Sequence, residues 1–138
     1  MKTLASSILL SLAAALSPAA SFACGACVED KIAATYDYAV VKKAEADHHL
    51  IVFGEIEGSA NVNAVTAKIA SAAARVRGVD RGTVRISASP PAFSFALDPA
   101  SQGPDAAMNE LRKRLRSANV KLTVLRVAGG DSQAARNK

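Results

Sequence analysis

Val84-Arg85-Ile86-Ser87-Ala88-Ser89-Pro90-Pro91-Ala92-Phe93-Ser94-Phe95-Ala96-Leu97 carries two alternating runs on either side of a proline pair. Val84, Ile86 and Ala88 fall on one face of the first run, with Thr83, Arg85 and Ser87 on the other. Phe93, Phe95 and Leu97 repeat the pattern in the second. A period of two marks a strand with one buried face. Pro90-Pro91 supplies the turn. The stretch predicts a β-hairpin whose aromatic face looks into a core.

Working outward, Leu50 to Ile56 reads as a strand closed by Glu57-Gly58-Ser59. A helix is expected from Asn61 to about Arg77, striped by Val62, Val65, Ile69, Ala72 and Val76. Ser59 or Asn61 can cap it, and Gly78 stops it. Downstream, Pro104 suits the first position of another helix, with Met108, Leu111, Leu115 and Ala118 on its apolar side. Val120 to Val127 is the last strand. The order strand, helix, strand, strand, helix, strand is a split βαβ pattern. It predicts an α+β fold, a ferredoxin-like βαββαβ sandwich with both helices on one face of a four-stranded antiparallel sheet. That face should bury Leu50, Val52, Ile56, Val84, Ile86, Phe93, Phe95, Leu97, Leu122 and Val124.

With that order in place, several segments resemble the heavy-metal-associated domain family, the small modules of copper chaperones and metal-pumping ATPases. They are Val62 to Val76 with Arg77-Gly78-Val79, then Val84-Arg85-Ile86, Pro90-Pro91 and Phe93-Ser94-Phe95-Ala96-Leu97-Asp98-Pro99. The resemblance covers roughly 50–127 and rests on core pattern and turn placement. That family carries its Cys-x-x-Cys between the first strand and first helix. Here the loop is Gly54-Glu55-Ile56-Glu57-Gly58-Ser59-Ala60-Asn61, so the family's ligands transfer to none of its residues.

The front of the chain reads as an export signal over residues 1–23: Lys2, the apolar run Leu4 to Leu16, Pro18, then Ser21-Phe22-Ala23 before Cys24. A periplasmic or secreted protein is expected, with lipid anchoring at Cys24 the less favoured variant. The run is too short to span a bilayer, and no later segment approaches the ~20 apolar residues a span requires. The net charge of +5 loses only Lys2 on cleavage, and a mild basic excess in an exported protein reads as solvated surface. Residues 24–48 form an N-terminal Cys-x-x-Cys segment and helix, 49–128 the sandwich, and 129–138 a disordered tail.

A single helix is expected over 28–47, with Val28, Ile32, Tyr36, Ala39 and Val40 on one face. The sheet's second face would carry Ile51, Phe53, Leu125 and Val127, too apolar to stay bare. The N-terminal helix should therefore cover it, within the chain or across a homodimer. The short link through Asp47, His48 and His49 makes helix and first strand antiparallel. The helix start then returns to the 57–61 loop; the alternative is a helix that projects outward and leaves the cysteines in solvent.

Cys24 and Cys27 are the only cysteines. A disulfide across so small a loop adds little chain-entropy stabilisation, whereas two thiolates at this spacing suit Cu(I) or half of a zinc tetrahedron. The leading expectation is binding and handing over a transition metal, Cu(I) before Zn(II), to a metal-transport partner, with Glu55 or Glu57 as secondary oxygen ligands. Thiol–disulfide exchange and a purely structural domain are the alternatives. Enzymatic activity is not expected: no Ser/His/Asp set, phosphate loop or i, i+4 His pair occurs. Glu55 and Glu57 share a strand face without companion groups. Nucleic acid is not an expected partner, because a sheet that stacks bases needs aromatics on its open face and only Phe53 qualifies. His48 and His49 read as polar residues at a helix end that point apart on a strand. Arg112-Lys113-Arg114 with Arg116 reads as a solvated helix face.

Overall fold

The computed structural model describes residues 23–58 and 61–130. Helices α1 (Ala23–Thr35) and α2 (Tyr38–Ala46) precede β1 (Leu50–Glu57), α3 (Val62–Ala73), β2 (Arg85–Ala88), β3 (Pro91–Leu97), α4 (Pro104–Arg114) and β4 (Lys121–Ala128). The four strands form one sheet in the order β2-β3-β1-β4, every neighbouring pair antiparallel. The protein is mixed α and β, as expected. Of the expected export signal (1–23) residues 1–22, and of the expected disordered tail (129–138) residues 131–138, lie outside the described residues. No helix among the described residues is long and apolar enough to cross a membrane.

One face of the sheet carries the main core. Val52, Ile56, Phe93, Phe95, Leu97 and Leu122 pack against Val65 and Ile69 of α3, Val76 of the turn after it, Met108 and Leu111 of α4 and its C-cap Leu115. Helix α3 ends at Ala73, short of the expected Arg77. Phe93 and Phe95 are fully buried, their rings stacked with centroids 6.1 Å apart. Val84, Ile86 and Val124 pack at the rim, and Leu50 is half-buried. Asn61 caps α3, its side chain accepting from the Ala64 amide at 3.1 Å. Pro104 opens α4.

The second face is covered from within the chain. Ile32 of α1 and Ala44 of α2 are buried with Ile51, Phe53 and Ala96, and Val28 and Val41 pack at the edge. The apolar surface that suggested a homodimer thus lies under the chain's own helices. Two details differ from expectation. The N-terminal helix is two helices, divided at Tyr36-Asp37. The Asp37 carboxylate accepts from the amides of Ala39 and Val40, and a side chain that satisfies the free amides of a new helix favours starting one. The break re-phases the buried stripe to Val28, Ile32, Thr35, Val40 and Ala44, leaving Tyr36 52% exposed.

The second difference is a β-bulge. The β1–β4 register shifts between Phe53 and Gly54, so Phe53 pairs with Arg126 and Gly54 with Val124. The extra residue, Leu125, reverses the alternation beyond it. Arg126 and Ala128 therefore share a face with Phe53 and Ile51, in place of Leu125 and Val127. Val127 lies 41% exposed. Gly54 sits at the bulge because the Phe93 ring crosses it: an added Cβ would lie 2.5 Å from Phe93 Cε1.

Candidate functional site

The orientation of α1 positions the cysteine pair. Lys31 is ion-paired with Glu55 near the end of β1, and Glu29 with Arg126 of β4. The last carbonyl of α1, on Thr35, accepts from Ser94 Oγ at 2.9 Å, which satisfies a helix-end acceptor from the middle of β3. Ser94 pairs with Phe53, halfway along β1. Running from Lys31 at Glu55 to Thr35 at Ser94, α1 is antiparallel to β1, and its start points toward the end of the sheet that holds Glu57. Small residues on this face of β3, Ala92, Ser94 and Ala96, let the helix lie close.

Cys24 and Cys27 belong to the first turns of α1, which begins at Ala23 rather than at Val28. Their side chains lie outside the described residues. The two carboxylates named with them are engaged elsewhere. Glu55 is held by Lys31, and Glu57 by Lys121 at 2.9 Å across the β1–β4 pair. Lys121 keeps the Glu57 carboxyl below the usual range.

At the other end of β1 a constellation forms that the sequence reading missed. Asp47, His49 and Asp80 each direct one ligand atom into a group whose atoms all lie within 4.8 Å of one another. Three elements bring them together. α2 ends in a two-bond turn: the His49 amide donates to Ala44 O at 2.8 Å and the His48 amide to Glu45 O at 3.3 Å. This Schellman geometry puts His48 in the left-handed region at φ 56. The turn, not strand alternation, separates the two histidines: His48 is exposed, while His49 folds under the helix end and is half-buried. Asp80 comes from the turn before β2. Its Oδ1 accepts from the Gly82 amide at 3.1 Å, leaving Oδ2 to face Lys43.

Lys43 holds both carboxylates, at 2.8 Å from Asp47 and 2.5 Å from Asp80. Both aspartates are lowered below the ordinary carboxylate range, chiefly by that ammonium, and Lys43 is raised by the two of them. His49 Nδ1 is buried with no hydrogen-bond partner among the described residues. The only hint in the sequence was the spacing Asp47-x-His49; Asp80 joins it through the tertiary fold alone.

The remaining candidates are surface features. Arg112 donates to Leu122 O at 3.1 and 3.2 Å, and Arg114 pairs with Glu110 at 2.7 Å. Lys113 and Arg116 are exposed. Comparison with protein families, characterised proteins and solved structures finds no match to this chain.

Proposed function

We propose that this is an exported metal-handling protein that binds Cu(I), ahead of Zn(II), through Cys24 and Cys27 and passes it to a metal-transport partner. Its fold is read as a ferredoxin-like sandwich. In support, the strand order taken from the β4 edge is 4-1-3-2, with α3 and α4 as the crossovers on one face. The observation that carries the functional reading is the direction of α1. Lys31 at Glu55 fixes the helix one turn after Cys27 at the end of β1. At ~1.5 Å rise per residue, Cys27 lies about 6 Å farther along the axis, toward the loop where the resembled family holds its metal. Spacing of three on a helix brings two thiolates within reach of one ion. Glu55 and Glu57, neutralised by lysines, are left out of the ligand set.

A second reading draws on the same placement. A Cys-x-x-Cys in the first turns of a helix has its thiol acidified by the helix N-terminus, which suits thiol–disulfide exchange. Glu29 and Asp30, in the next turn, oppose that effect.

Intact mass and metal content of the exported protein, isolated without chelator, test the reading. The expected product begins at Cys24, carries no lipid, and holds one Cu(I) per chain. A metal-free product with a Cys24–Cys27 disulfide favours the redox reading, and a diacylated Cys24 contradicts both.

A further inference from the structure

We propose that Asp47, His49 and Asp80 form a second cation site, of hard donors, for a divalent first-row metal such as Zn2+. It is independent of the cysteine reading and lies at the opposite end of β1, whose eight residues span about 26 Å. One imidazole and two carboxylates are the donor set that suits Zn2+ and Co2+, and they do not favour Cu(I).

The backbone sets the three residues in place before any metal arrives: Asp47 is the C-cap of α2, the His49 amide donates to Ala44 O, and Asp80 is anchored through Oδ1 to the Gly82 amide. Among the described residues, His49 Nδ1 is buried without a hydrogen-bond partner, so the ring has a nitrogen lone pair or N–H that the protein leaves unused. Metal–ligand bonds of ~2.0–2.2 Å at tetrahedral angles put donors about 3.4 Å apart, so atoms that lie within 4.8 Å of one another draw together when the ion enters. In the metal-free protein the Lys43 ammonium sits against both carboxylates and offsets one of their two negative charges. A divalent ion replaces this ammonium, and Lys43 swings into solvent, where its side chain is already 57% exposed. Asp98 is close enough for its charge to sense His49, but its oxygens are taken by the Ala100 amide and Ser101 Oγ. Three protein donors leave a fourth position for water or a partner's group. The ion would tie the end of α2, the start of β1 and the turn before β2 together, clamping the two-helix cover to the sheet.

The test uses the mature chain carrying Cys24→Ser and Cys27→Ser, so that thiolates contribute nothing. It is titrated with Co2+ alone and then competed with Zn2+. Expected are one equivalent of Co2+ with visible d–d bands and no thiolate charge-transfer band, displacement by Zn2+, and loss of those bands in Asp80→Asn and His49→Ala. Lys43→Met should tighten binding severalfold, because it removes the competing ammonium while sparing every ligand. Asp105→Asn, on an exposed carboxylate of α4, should change nothing. Far-UV circular dichroism checks that each variant is folded. Absence of saturable Co2+ binding overturns the proposal. So does binding that survives in folded Asp80→Asn, or that weakens in Lys43→Met.

Discussion

Replacing Gly54 with Ala tests the sheet's central contact. The added methyl would stand 2.5 Å from Phe93 Cε1 and 2.7 Å from Thr123 O, where ordinary contact begins near 3.4 Å. Thr123 O is backbone of the paired strand and cannot yield without breaking the ladder. The Phe93 ring is 1% exposed and stacked on Phe95, so it has nowhere to turn. Overpacking a core costs ~1–3 kcal/mol and expelling a buried aromatic ~3–5, which puts Gly54→Ala at about 3 kcal/mol. With an m-value of about 1.5 kcal/mol/M, the urea midpoint falls by about 2 M. The chain has no tryptophan, so far-UV circular dichroism is the probe. Phe93→Leu deletes the two ring atoms that clash and leaves Thr123 O in place. In that background the cost of Gly54→Ala should drop by at least about 1 kcal/mol, a coupling that distant sites do not show. Equal costs in both backgrounds, or a wild-type cost below about 1 kcal/mol, would refute the packing described.

Phe95→Ala empties a fully buried site and should destabilise by about 3–5 kcal/mol in the same assay. His48→Gly relieves a left-handed residue at the end of α2 and should raise stability by up to about 1 kcal/mol. A lower midpoint would show that the turn does not hold in solution. Asp37 is lowered from its ordinary 3.8, first by its hydrogen bond with Arg85 and then by the α2 amides. A depressed folded-state value means that its contribution is complete above the ordinary value and is lost as pH falls through and below it. Thermal midpoints of Asp37→Asn should therefore start lower at neutral pH and converge on those of the wild type in acid; parallel curves would contradict the sign.

The mixed α and β character and the four-stranded antiparallel sheet were legible because the strands and the segments between them obey simple periods. Phe93, Phe95 and Leu97 alternate as read. Val65 and Ile69 keep a helical stripe, but α3 ends at Ala73, four residues short of the expected Arg77, and Val76 reaches the core from the turn that follows. The front of the chain was harder to read. Val28 through Asp47 has an unbroken apolar rhythm, and only the side chain of Asp37, read as a cap, divides it. The bulge at Leu125 leaves no mark in β4 itself; the only sequence sign is Gly54 inside β1, at the position where the register shifts. That single shift exchanged Leu125 and Val127 for Arg126 and Ala128 on the second face. The Asp47-His49-Asp80 group stayed hidden too. Two adjacent histidines look alike in sequence, and only the turn that ends α2 sends one outward and one under, to meet an aspartate from the turn before β2.

Competition for Cu(I) against a chromogenic chelator, run anaerobically on the reduced mature chain and on Cys24→Ser/Cys27→Ser, tests the metal-handling proposal most directly. The account predicts that the wild type withdraws one equivalent of Cu(I) from the chelator and that the double variant withdraws none. Equal withdrawal by both proteins, or none by either, would contradict it.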